Sequence, residues 1–182
     1  MRRRTFLAGT ATTAATALAG CMGGGSTGTL ATKVSDQPGD IGDFETLIIH
    51  VTTVYVKPTD GERKSFDVDQ TVDLTKLTGE NTALVGEQEL ATGEYEFLQL
   101  QAEATEAKLK SGGSADVSTP GEAPLKFNKN FEIRANQTTT FVADFTPVQQ
   151  GQTNRYVLQP VADEVKVIYE GEGGSGNQTN SS

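Results

Sequence analysis

From Phe44 to Lys57 apolar and polar side chains alternate, placing Leu47, Ile49, Val51 and Thr53 on one face and Ile48, His50, Thr52 and Val54 on the other. A period of two, in a segment rich in Ile, Val, Thr and Tyr, predicts a β-strand. Pro58-Thr59-Asp60-Gly61 reads as a turn, after which Ser65-Phe66-Asp67-Val68-Asp69 alternates again. Val72-Asp73-Leu74 leads into an irregular piece around Thr78-Gly79-Glu80-Asn81, with a single helical turn at Leu74–Leu77. Tyr95 to Ala104 predicts a further strand with Leu98, Leu100 and Ala102 on one side, while Ala102 to Lys110 fits helix or strand. Ser111 to Pro124, rich in Gly, Ser and Pro, reads as a loop. Phe127, Phe131 and Ile133 resume the pattern, and Asn136-Gln137 turns the chain into Thr138–Phe145, where Phe141, Ala143 and Phe145 face one way. Tyr156, Leu158 and Pro160 mark another extended run, and Val165, Val167 and Tyr169 the last. Short strands with polar turns predict an all-β fold, an immunoglobulin-like or transthyretin-like β-sandwich of about seven to nine strands.

Within that pattern Leu90-Ala91-Thr92-Gly93-Glu94-Tyr95 has the form of a tyrosine corner. In that arrangement the ring packs into the core while the hydroxyl bonds a backbone group at the turn. Tyr95 is therefore expected to be structural.

The first residues break the strand pattern. Arg2-Arg3-Arg4 precede a weakly apolar stretch from Phe6 to Ala19 that ends in Leu18-Ala19-Gly20-Cys21. A cationic head, a short apolar middle and small residues at a cut site make a secretory signal. The stretch is shorter than the about 20 apolar residues a spanning helix needs. Arg3-Arg4-Thr5-Phe6-Leu7 resembles the twin-arginine export signal, whose cargo is carried folded. Leu18 to Cys21 resembles a lipobox, which makes Cys21 the site of lipidation and the outer face of the cytoplasmic membrane the expected location. One acyl chain holds a protein only marginally, so two chains on Cys21 are expected. The chain then divides into a signal over 1–20, a Gly-rich spacer over 21–28, a β-sandwich domain over 29–169 and a polar tail over 170–182.

Cys21 is the only cysteine, so a lipidated chain has no thiol left for a disulfide or a thiolate metal site. The domain must be held by a packed core, and about 140 residues suffice for one. The signal holds three of the fifteen Lys and Arg and none of the twenty-four Asp and Glu, leaving twelve cations against twenty-four anions, a net charge of −12. Such a surface repels phosphate backbones and argues against a nucleic-acid partner. It suits solvation in high salt, where self-repulsion is screened, and it leaves cation capture as the competing explanation.

Several blocks then line up with a known family. Gly28-Thr29-Leu30, Val34-Ser35-Asp36-Gln37-Pro38, Val72-Asp73-Leu74, Leu90 to Tyr95, Asp144-Phe145 and Tyr156-Val157-Leu158-Gln159-Pro160 resemble, in order, those of a family of domains of unknown function. The family occurs in bacterial and archaeal lipoproteins, and many haloarchaeal members carry a twin-arginine lipobox. The resemblance covers about Thr29 to Tyr169. It implies a β-sandwich at the cell surface, with no assigned activity and no catalytic residues.

The residues offer little catalytic chemistry. His50 is the only histidine and is embedded in a strand, with no G-x-S-x-G elbow to supply a nucleophile. One histidine and no free thiol leave zinc without its usual ligands. Asp36, Asp40 and Asp43 share one polar segment and could partly surround Ca²⁺, which takes six to eight oxygens; the same residues make an ordinary turn. Asp67, Asp69 and Asp73 fit a sheet edge that resists pairing with other chains. Asn136, Asn177 and Asn180 begin glycosylation sequons. The expectation is a lipid-anchored, non-catalytic surface module without a cofactor, binding a glycan, peptide or protein partner or serving a structural role. A Ca²⁺-binding lipoprotein is the first alternative and a hydrolase the second.

Overall fold

The computed structural model describes residues 25–36 and 39–170. Cys21, the signal residues Arg3, Arg4, Phe6 and Leu7, and the sequons Asn177 and Asn180 lie outside them. The strands are β1 (Thr27–Asp36), β2 (Phe44–Pro58), β3 (Lys64–Asp73), β4 (Ala83–Ala91), β5 (Gly93–Leu109), β6 (Asp116–Ser118), β7 (Leu125–Phe127), β8 (Phe131–Ile133), β9 (Thr138–Gln149), β10 (Arg155–Pro160) and β11 (Lys166–Tyr169). The first sheet runs β4–β1–β9–β10–β6, with β11 also paired to β9. The second runs β3–β2–β5–β7, with β8 also paired to β5. Two sheets face to face make the predicted all-β sandwich. Among the described residues no helix is long and apolar enough to cross a membrane.

The inner faces carry the alternating apolar positions. Leu30 and Val34 of β1, Phe141, Ala143 and Phe145 of β9, and Leu158 of β10 meet Ile49, Val51, Val54 and Val56 of β2, Leu98 and Leu100 of β5, and Phe127 of β7. All of these are fully buried, and each large one contributes about 1.5–3 kcal/mol by leaving water. Aromatic rings tie the sheets together. Phe127 meets Phe145 edge-on at 5.4 Å, Phe131 meets Phe141 at 5.3 Å, and Phe44 meets Tyr156 at 4.7 Å. Such pairs add about 0.5–1.5 kcal/mol beyond their buried area.

The strand count exceeds the expected seven to nine, for two reasons. The Ser111–Pro124 segment contains β6, which pairs in parallel with β10 through Asp116–Ser118. The run expected at Phe127–Ile133 is broken into two short strands, β7 and β8, both paired to β5. Ala102 to Leu109 is strand, continuing β5, and Leu74–Lys76 is a 3₁₀ turn capped by Asp73, whose side chain accepts from the Thr75 N–H. The spacer ends earlier than expected, because Thr27 and Gly28 pair with Ala91 and Leu90. At the other end Glu170 still belongs to the domain: its N–H donates to the Thr138 carbonyl and its carboxylate accepts from the Thr138 N–H.

One facing is corrected. Alternation from Leu47 puts Thr53 inward and Val54 outward, yet Val54 is fully buried and Thr53 is not. The register shifts between Val51 and Thr53 against both neighbouring strands. A bulge of one residue reverses every later side chain, so Val54 and Val56 turn to the core and Tyr55 to the outside.

Candidate functional site

That bulge sets up the outer face of the second sheet. Beyond it β2 points Tyr55 and Lys57 outward, β5 points Phe97, Gln99 and Gln101 outward, and β7 points Lys126. Tyr55 pairs with Gln99, Gln99 with Lys126, and Lys57 with Phe97, so these residues form two adjacent rows across three strands. From the turn before β3, Arg63 reaches over them. Its guanidinium carbon lies 4.5 Å from the centre of the Tyr55 ring, and its Nη1 donates to Gln99 Oε1 at 3.0 Å. Lys126 Nζ lies 3.8 Å above the centre of the Phe97 ring. Lys57 Nζ donates to the Pro58 and Gly61 carbonyls at 2.9 and 2.8 Å. Among the described residues none of these three cations has a carboxylate within the 4.0 Å of an ion pair.

The other half of the same face is acidic. His50 Nε2 lies 2.8 Å from Asp69 Oδ1, and its Nδ1 lies 3.8 Å from Glu103 Oε1. Asp67, Asp69 and Asp73 stand on β3, the outermost strand of that sheet, where charge discourages pairing with another chain. The face is thus split into an aromatic and cationic half around Tyr55–Phe97 and an acidic half around His50.

The three aspartates considered for Ca²⁺ have different surroundings. Asp36 ends β1 as a buried side chain whose two carboxylate oxygens have no hydrogen-bond partner. Asp40 Oδ2 accepts from the Gln149 N–H at 2.7 Å, and Asp43 Oδ2 accepts from the Tyr156 hydroxyl at 2.9 Å. Asp40 and Asp43 sit on a 3₁₀ turn pinned by buried Ile41. Among the described residues no three His, Cys, Asp or Glu form a group able to hold a metal ion. Asn136 is exposed at the β8–β9 turn, with φ of 56°.

Tyr95 lies where the chain leaves the first sheet for the second, with only Thr92 between β4 and β5. Its ring is buried and stacked on Phe131 at 5.1 Å, and its hydroxyl donates to the Ala91 carbonyl at 2.9 Å. Tyr95→Phe keeps the ring and loses only that bond, so it should cost about 1 kcal/mol in a denaturant melt. A variant as stable as the parent would show that the hydroxyl bond adds nothing.

The aromatic and cationic cluster was not singled out in the sequence. Its members come from three separate stretches of the chain, Tyr55 to Arg63, Phe97 to Gln99 and Lys126, and the bulge that turns Tyr55 outward leaves no local signal. The one available clue is Phe97, a large apolar residue at a solvent-facing position. Compared with known proteins, residues 27–160 match a family described as a domain of unknown function (DUF4382). No curated protein matches the chain.

Proposed function

This chain belongs to that family of domains of unknown function, and on that premise we propose that it is a lipid-anchored, extracytoplasmic module that holds a glycan against its second sheet without transforming it. The observation that supports this reading is the cluster of Tyr55, Phe97, Arg63, Lys126, Lys57 and Gln99 on one outer face. A sheet face carrying amides and ring-supported donors suits a polymer of hydroxylated rings, which needs many hydrogen bonds and little apolar area. Cys21 precedes β1 by six residues, so a lipid there would keep the domain within about 20 Å of the bilayer.

Two measurements test the two halves of the proposal. Cys21→Ser should release the protein from the membrane fraction while leaving its melt unchanged; a variant still processed and membrane-bound would remove the lipid anchor. The detergent-extracted protein should be retained on a panel of immobilised neutral and acidic polysaccharides. Exchanging both rings, Tyr55→Ser with Phe97→Ser, should lower that retention at least tenfold. Retention on none of the panel would overturn the glycan reading.

A further inference from the structure

We infer that the polymer held by this face is anionic: a polysaccharide bearing carboxylates or sulfates. The inference rests on the glycan reading above and adds the charge of the ligand. The chain is acidic overall, with twenty-four Asp and Glu against fifteen Lys and Arg, so cations gathered on one face stand out against it. Lys57, Arg63 and Lys126 are three such cations, and they stand together.

Their supports explain how the charges are kept available. Arg63 is held by the Tyr55 ring and the Gln99 carbonyl oxygen, Lys126 by the Phe97 ring, and Lys57 by two backbone carbonyls. A ring face or a carbonyl attracts a cation without cancelling its charge. It also fixes the side chain before binding, which lowers the entropy lost when a ligand arrives. Arg63 uses one nitrogen for Gln99, leaving further guanidinium donors for a carboxylate or sulfate. Adjacent strands lie about 4.8 Å apart, so charges carried on β7, β2 and the turn before β3 are spread over roughly 14 Å. That spread suits a polymer with repeated anionic groups better than a single small anion.

Other anionic polymers fit less well. An acidic peptide would dock by adding a strand to a free edge, and the β3 edge of this sheet presents Asp67 and Asp69 to repel it. Single-stranded nucleic acid needs open aromatic faces for its bases, whereas the Tyr55 and Phe97 rings are covered by Arg63 and Lys126.

The test is calorimetric titration of the detergent-extracted protein with polygalacturonate, dextran sulfate, neutral dextran and polyglutamate. Polygalacturonate or dextran sulfate should bind at least tenfold more tightly than neutral dextran and than polyglutamate. Arg63→Gln and Lys126→Gln, both at exposed positions, should each weaken acidic-polysaccharide binding about tenfold with no change in melting temperature. Binding should weaken as salt rises, because exposed charges are screened. Equal binding of neutral and acidic polysaccharides would overturn the inference and leave the glycan reading standing. Polyglutamate binding as tightly as polygalacturonate would overturn it by showing bare charge attraction. No binding to any polysaccharide would remove both.

Discussion

Asp36→Asn should abolish a loss of stability of about 4 kcal/mol between pH 4 and pH 7. Burial pushes the Asp36 carboxyl up to about 8 from its ordinary 3.8, and the nearby Asp144 carboxylate adds to the rise. Neither oxygen of Asp36 has a hydrogen-bond partner to stabilise the ionised form. In the unfolded chain the group gives up its proton near 3.8; in the folded chain it keeps it to about 8. Between those values the unfolded state binds fewer protons, so stability falls as pH rises, by about 1.4 kcal/mol per unit. The loss is complete above about pH 8 and absent below about pH 4.

Asp73 works in the opposite direction at a lower pH. Burial would raise it, but hydrogen bonds from the Thr75 side chain, Lys76, and the Leu47 and Thr75 N–H groups outweigh that and hold it below the ordinary carboxylate range. Its contribution is present above pH 4 and is lost as pH falls through its folded value. The two groups therefore separate cleanly in a pH series. Asparagine cannot ionise, so urea melts of the variant should lack the slope between pH 4 and 8. Its amide leaves donors unpaired and costs about 1–3 kcal/mol at pH 4, yet by pH 8 it should be the more stable protein. Parallel profiles for the two proteins would show that Asp36 ionises without penalty.

The same region shows where sequence reasoning stops. Alternation and turn residues suffice for the sandwich, because long strands such as β2, β5 and β9 repeat one apolar face many times. They fail for β1 and β4. β1 lies between β4 and β9, and small residues such as Ala31 and Ser35 are buried alongside Leu30 and Val34, which erases the period of two. In β4 the register shifts opposite Thr32–Lys33, so Val85 and Gln88 are both buried across a phase break. Asp36 looks like a loop acid beside Pro38 and Gly39, and only the three-dimensional end of β1 shows that it is enclosed. Tyr55, Phe97, Arg63 and Lys126 become neighbours through strand register, which one-residue bulges decide. A single sequence carries no visible mark of those bulges.

Glycine at position 28 is legible as a pattern, the first residue of Gly28-Thr29-Leu30, but its cause is spatial. A Cβ placed there would lie 2.1 Å from the Arg134 carbonyl oxygen and 3.0 Å from both the Gln137 oxygen and Ile133 Cγ2. The β8–β9 turn is laid directly across β1 at this point. It is fastened on either side of Gly28, with the Thr29 N–H donating to the Gln137 carbonyl and the Asn136 N–H to the Thr27 carbonyl, each at 2.9 Å. Gly28→Ala must move the turn outward by about 1 Å to reach ordinary contact, and the two flanking bonds stretch with it. Overpacking costs about 1–3 kcal/mol and the weakened bonds about 1 kcal/mol each, so a total of about 3–5 kcal/mol is expected. Gly86→Ala is the informative contrast. There the nearest atoms are side-chain ones, the amide end of Gln88 at 2.7 Å and Val68 Cγ1 at 3.0 Å, which yield more readily than a backbone carbonyl, so the cost should be nearer about 1–2 kcal/mol. Gly25→Ala meets no atom within 4 Å and should stay within about 0.5 kcal/mol of the parent. Urea melts of the three variants should therefore rank Gly28 below Gly86 and Gly86 below Gly25. A Gly28→Ala protein as stable as Gly25→Ala would mean that the β8–β9 turn does not rest on β1.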